Sequence, residues 1–230
     1  MPKIKERSLK IEILEKLLNL IYPPVCGLCN APSEKYLCKK CEINLKKLEV
    51  LGNDIFEKSC EENKYLDEHI YGFMYDGIIR KLIINYKFSH KSYIYRTFVT
   101  FFEKSEKIYL LSRKYDIIIP VPISKKRYKQ RGYNQSSLFA KEFAKKINLK
   151  YEENVILKTI DNKKQSDLSK EDRIVNTQNV YKVQNYGKIL NKKILLIDDV
   201  FTTGSTCNEC AKVLKEAGAL NVGVFTIAKD

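Results

Sequence analysis

No run of about 18 uncharged apolar residues occurs anywhere in the chain, so no membrane-spanning helix is expected. Histidine is scarce: His69 and His90 are the only two, and neither has a partner at metal-ligand or triad spacing. There is no His-Glu-x-x-His and no Gly-x-Ser-x-Gly, which removes the common zinc-protease and serine-hydrolase patterns. Nine glycines and six prolines are scattered, with no internal repeat or low-complexity tract, and 44% of residues are apolar. That composition belongs to a folded chain rather than a disordered one. Acidic residues are the minority charge, 28 against 42 Lys and Arg, for a formal net charge of +14. The apolar N-terminal stretch from Leu9 to Ile21 is interrupted by Glu12, Glu15 and Lys16, which breaks the core a signal peptide needs. A cytoplasmic protein is expected, with the inner face of the membrane as an alternative location. In that compartment the seven cysteines read as metal ligands or free thiols, not disulfides.

What is present centres on Ile194-Leu-Leu-Ile-Asp198-Asp199-Val-Phe-Thr202-Thr203-Gly204-Ser205-Thr206. Four apolar residues read as a buried strand of a parallel sheet. Two aspartates follow where open α/β sheets place their ligands, and then a small hydroxylated segment bends at Gly204. A helix pattern comes next, with Ala211, Val213, Leu214 and Ala217 apolar and Gly218 as a stop. A loop that opens a helix presents free backbone N–H groups and, with its hydroxyls, can wrap a phosphate. The carboxylates suit the hydroxyls of a sugar ring with a divalent metal nearby. A ribose 5-phosphate satisfies both halves; the competing reading is a capped turn with solvated acids.

Cys26-Gly-Leu-Cys29 and Cys38-Lys-Lys-Cys41 form two knuckles that can converge four thiolates on one structural zinc. Cys60 stands alone nearby. Cys207 and Cys210 share a helix face and read as packing cysteines. Residues 9–21 carry apolar side chains at helical spacing, and residues 92–112 read as one long amphipathic helix whose aromatic stripe faces a core. Strands are expected over His69–Tyr75, Asp116–Pro122, Val155–Thr159 and Asn221–Ala228, and helices over Ile78–Phe88 and Asn134–Leu149. Residues 123–150 hold nine Lys or Arg against one Glu. Within them Lys125–Gln135 reads as a mobile cationic loop with interleaved aromatics, able to close over a polyphosphate or hold a strand of DNA. A solvated charged helix face is the plainer alternative.

The Asp198–Thr206 segment resembles the phosphoribosyl-pyrophosphate (PRPP) fingerprint of type I phosphoribosyltransferases. The order strand, Pro120-Val-Pro122, basic run, Arg131-Gly132-Tyr133-Asn134-Gln135 extends the resemblance to the ComF family of competence-associated proteins, as do the cysteine knuckles. Arg80, Leu82, Ile83 and Lys87 echo a further family run, as does the pattern Gln165, Leu168, Ser169, Arg173, Asn176. The resemblance implies an α/β fold, mainly parallel, flanked by helices, with a small N-terminal zinc-binding module. The implied layout is an amphipathic helix at 1–22, the zinc module at 23–65 and the phosphoribosyltransferase-like domain at 66–230. It further implies that Asp198 and Asp199 bind the ribose hydroxyls with Mg²⁺. Thr202, Thr203, Gly204, Ser205 and Thr206 would cradle the 5-phosphate, and Lys87 and Arg131 would serve the pyrophosphate. The family's partners imply single-stranded DNA and the competence DNA-uptake machinery. An active transferase for an unidentified acceptor is the alternative.

Overall fold

The computed structural model describes residues 23–57, 62–89, 91–159 and 180–230. The N-terminal helix pattern, Cys60, His90 and the Gln165–Asn176 pattern lie outside these residues. The described chain opens with the cysteine knuckles and helix α1 (Lys39–Leu48), then strand β1 (Glu49–Ile55), β2 (Glu68–Met74) and α2 (Gly77–Phe88). Next come α3 (Ile94–Phe102), the single turns α4 (Glu106–Tyr109) and α5 (Leu111–Lys114), β3 (Ile117–Pro120), α6 (Lys125–Arg131) and α7 (Gln135–Lys146). Strands β4 (Lys150–Tyr151), β5 (Ile156–Lys158) and β6 (Tyr181–Val183) precede β7 (Lys193–Phe201), α8 (Ser205–Glu216) and β8 (Asn221–Lys229).

Six strands form one sheet in the order β1-β2-β8-β7-β3-β4. Every neighbouring pair is parallel except β1 with β2. The expected α/β class, mainly parallel and flanked by helices, is what the chain adopts. Central β7 and β8 are buried on both faces, which explains why Ile194–Ile197 is continuously apolar instead of alternating. On one face Leu195, Ile197 and Phe225 meet Phe98 and Phe102 of α3 and Phe139 and Phe143 of α7. On the other, Leu196, Val222 and Val224 meet Cys207, Cys210, Ala211 and Leu214 of α8. Each fully buried Phe or Leu contributes on the order of 2 kcal/mol.

Two expectations need correction, and one expected strand pairs outside the main sheet. The helix drawn over 92–112 is broken at residues 103–105, where Ser105 is extended (φ −91°, ψ 120°) before α4 begins. The Val155–Thr159 strand forms, but β5 pairs with β6 in a separate two-stranded antiparallel sheet. The cationic stretch is not an irregular loop through 125–131. It forms α6, capped at its start by Ser124, whose Oγ accepts from the Arg127 amide at 3.3 Å, and closed by left-handed Gly132 (φ 81°). No helix among the described residues is long and apolar enough to cross a membrane.

Candidate functional site

The carboxylate pair lies in the C-terminal half of β7, and its two members reach different helices of the same core layer, α7 and α2. Asp198 Oδ1 accepts from Ser136 Oγ, near the start of α7, at 2.8 Å and from the Asp199 amide at 2.9 Å. Asp199 Oδ1 pairs with Lys87 Nζ, near the C-terminal end of α2, at 2.6 Å. Asp199 is 4% exposed, and its Oδ2 is buried with no hydrogen-bond partner among the described residues. Burial and the adjoining Asp199 charge raise the Asp198 carboxyl to about 7, against the pull of Lys87 and the Ser136 hydrogen bond. Two close carboxylates with one ammonium between them leave a deficit of positive charge, the environment a divalent cation suits.

Beyond Phe201 the chain turns through Thr202–Thr206. Gly204 takes a left-handed conformation (φ 74°) and α8 begins at Ser205. The first intrahelical bond is Asn208 N–H to Gly204 O, 2.8 Å, so the amides before it stand outside the helix's own ladder. Thr203 Oγ1 lies 3.0 Å from Ser205 Oγ and accepts from the Ser205 amide at 3.4 Å. Asp198, Val200, Phe201 and Thr202–Cys207 line one shallow concavity of about 30 Å³. Asp198 and the hydroxylated turn therefore face a shared space. A residue the sequence did not single out, Asn63, closes its edge: its Oδ1 would lie 2.3 Å from a Cβ placed on Gly204. The neighbouring Tyr65 amide donates to Asn208 Oδ1 at 3.0 Å, fastening this turn over the start of α8.

Lys87 and Arg131, 44 positions apart, are brought together by two tyrosines. Tyr86 OH donates to Gln135 O at 2.6 Å, and Tyr133 OH donates back to Tyr86 O. Arg131 Nη1 donates to Gln135 Oε1 at 2.8 Å, and its guanidinium stacks 4.9 Å from the Phe88 ring centre. Burial lowers the Arg131 pKa, while the Asp199 charge opposes that fall. Asn134 completes the Arg131–Gln135 motif, accepting from the Ser136 amide at 3.1 Å and donating to Val121 O at 3.0 Å. Each residue of that motif thus fixes the seam between α6, α7 and β3. By contrast α6 buries no residue, and Lys125, Lys126, Lys129 and Gln130 line an open concavity of about 430 Å³ beside exposed Tyr128.

The Sγ atoms of Cys26, Cys29, Cys38 and Cys41 all lie within 4.8 Å of one another, and all four are free thiols. Tetrahedral zinc at about 2.3 Å from each sulfur sets neighbouring sulfurs about 3.8 Å apart; Cys29 and Cys38 stand at 3.8 Å. Burial raises the Cys26 thiol, but the backbone N–H groups of Cys29, Cys38 and Leu28 outweigh it and bring it down to about 7. The donor set and geometry fit structural zinc. The module is anchored on α3. Thr97 Oγ1 donates to Tyr36 O at 2.8 Å, and a Cβ on Gly27 would strike that hydroxyl at 2.3 Å. Arg96 Nη1 donates to Tyr36 OH at 2.8 Å.

Cys207 and Cys210 are fully buried against the sheet, and burial pushes both thiols well up, so they pack and do not react. His69, expected to be unremarkable, is completely buried: Nε2 lies 2.8 Å from Thr226 Oγ1 and the ring stacks 3.9 Å from Phe201. Burial holds it neutral, with its pKa lowered to about 4. Its partners come from a distant strand, which is why sequence spacing did not show them.

Residues 134–230 match the phosphoribosyl transferase domain model. The chain is 26% identical to "Competence protein ComFC" of Bacillus subtilis over 90% of its length and 78% of that protein. It is also 26% identical to "Competence protein F" of Haemophilus influenzae, over 90% of its length and 85% of that protein. "DNA utilization protein YhgH" of Escherichia coli O6:H1 is 30% identical over 50% of this chain, which spans about half (49%) of that relative.

Proposed function

We propose that this chain, 26% identical over 90% of its length to two competence proteins and matching the phosphoribosyl transferase domain model over residues 134–230, is a PRPP-binding protein that works in the handling of incoming single-stranded DNA. The observation that carries the first half is the shared concavity of Asp198 and the Thr202–Thr206 turn, beside a buried Asp199 oxygen that lacks a partner. In this reading the amides at the start of α8 and the hydroxyls of Thr202, Thr203, Ser205 and Thr206 hold the 5-phosphate. Asp198 and Asp199 orient the ribose by accepting from its hydroxyls and hold Mg²⁺, which neutralises charge on the diphosphate when bound. Lys87 and Arg131 supply positive charge at the diphosphate end. Ser136 fixes the rotamer of Asp198, and Asn63 excludes water from the edge of the turn. In this reading none of these groups attacks the ribose, and any reaction here proceeds through positioning and charge stabilisation.

The exposed cations of α6, with Tyr128 and Phe88 beside them, supply phosphate contacts and stacking surfaces for a single strand. Zinc at the four cysteines is structural in this scheme and holds the knuckles against α3. A second reading, favoured by the retained carboxylate pair and turn, is a phosphoribosyltransferase acting on an unidentified nucleobase or other acceptor. Calorimetric titration of PRPP with Mg²⁺ tests the site. Saturation near one equivalent, weakened at least about tenfold by Asp199→Asn with the fold intact, is expected from loss of one charged ligand. Absence of binding to the wild type would remove PRPP from the account.

A further inference from the structure

The contact between Lys87 and Asp199 deserves a reading of its own, because it sits where positive charge is scarcest. Asp199 is almost completely buried, one of its oxygens is taken by Lys87 at 2.6 Å, and the other has no hydrogen-bond partner among the described residues. Asp198 already spends its Oδ1 on Ser136 and the Asp199 amide. The lysine comes from the last turn of α2, and its side chain is 19% exposed, so its ammonium has a path away from the carboxylate. A divalent cation entering this pair must displace that ammonium or share a carboxylate with it, and two cations at one carboxylate oxygen repel strongly in a site with little water.

We infer that Lys87 is the built-in counter-ion of the carboxylate pair, holding the cation position closed until metal and diphosphate arrive together. This rests on the phosphoribosyl reading of the site. The ammonium that leaves Asp199 does not return to water. It transfers to the diphosphate, whose charge replaces that of the carboxylate, while the metal takes the freed oxygen. Metal alone therefore binds weakly, diphosphate alone binds weakly, and each strengthens the other by the same factor, as linkage requires. The consequence is a site that ignores free divalent cations and answers to the metal–diphosphate complex.

The test uses the full zinc-loaded chain, Mn²⁺ as the metal probe and inorganic pyrophosphate as the anion probe, followed by electron paramagnetic resonance and calorimetry. Lys87→Met keeps the stem and removes the charge; Lys87→Gln serves as a second variant, with a thermal melt to establish that each is folded. Mn²⁺ bound by Asp199→Asn is subtracted as binding elsewhere. The expected result is roughly tenfold or greater tightening of Mn²⁺ alone in the Lys87 variants, with the mutual strengthening between Mn²⁺ and pyrophosphate lost. A lysine that serves only to stabilise the fold would not tighten metal when removed. Unchanged or weaker Mn²⁺ binding in both variants overturns the inference, even if PRPP binds the wild type. Tightened Mn²⁺ with no PRPP binding by the wild type would instead leave the counter-ion role standing and sink the phosphoribosyl reading.

Discussion

Replacing Gly204 by Ala places a methyl group where the chain has no room for it. The residue sits at φ 74°, a region that costs an L side chain about 1–2 kcal/mol. The new Cβ would lie 2.3 Å from both Asn63 Oδ1 and Phe201 Cζ. Asn63 is a flexible end that can swing aside. Phe201 cannot easily retreat, because its ring is buried and backed by His69 at 3.9 Å. Overpacking of that kind costs roughly 1–3 kcal/mol, so the total is roughly 2–5 kcal/mol. At about 2–4 °C per kcal/mol for a chain this size, the melting midpoint falls by roughly 5–15 °C. Because the strain is centred on the turn that would hold the 5-phosphate, PRPP affinity is expected to fall at least about tenfold. Urea unfolding followed by circular dichroism reads the first effect and calorimetric titration the second. Gly187→Ala is the matched control, since nothing lies within 4 Å of its Cβ and its backbone is ordinary. If Gly204→Ala were as stable as Gly187→Ala, the crowded left-handed turn described here would be wrong.

Zinc analysis should find one metal per chain, and Cys26→Ser or chelation should loosen Leu37 and Leu45 from the α3 core. Losing two buried leucines costs about 4 kcal/mol, or roughly 10 °C; well under one zinc per chain would remove the site. Single-stranded DNA binding should weaken steeply with salt. Replacing Lys125, Lys126 and Arg127 together by Ala should lower the log–log salt slope by about 2, and an unaltered slope would place the DNA elsewhere. His69 is protonated at about 4 in the folded chain and near its ordinary value of 6.5 when unfolded. The His69 contribution to stability is therefore full above 6.5 and is lost as pH falls from 6.5 through 4, by about 3 kcal/mol. The raised Asp198 carboxyl works in the opposite direction, so the effect is read as the difference between wild type and a His69 variant. The same pH series on His69→Gln should lose that slope, and a retained slope would assign it to other groups.

The site was legible where it is local. Ile194–Thr206 is one contiguous strand, acid pair and turn, and each part has its own pattern. The knuckles were equally readable, because four ligands at short spacing leave few geometries. Parts assembled from distant segments were not. Ser136 is an ordinary serine in sequence, and only the packing of α7 on the sheet carries it to Asp198. Asn63 belongs to a polar turn with no periodicity. β1 was missed because Gly52, Asn53 and Asp54 interrupt any alternation; it forms as an edge strand whose Asp54 pairs with Lys229 at 2.8 Å and whose Asn53 donates to Glu68 at 3.1 Å. The basic run misled in the opposite direction, since charge density concealed good helix formers between a serine cap and a glycine stop.

The Tyr86 hydroxyl on Gln135 O and the Tyr133 hydroxyl on Tyr86 O together have a mechanical consequence. They rivet the end of α2 to the turn joining α6 and α7, so the ammonium at the acid pair and the exposed cations of α6 ride on one lever. Each phenol grips the other segment's main chain, so the clasp joins backbone at the end of α2 to backbone at the turn before α7 and depends on no flexible charged side chain.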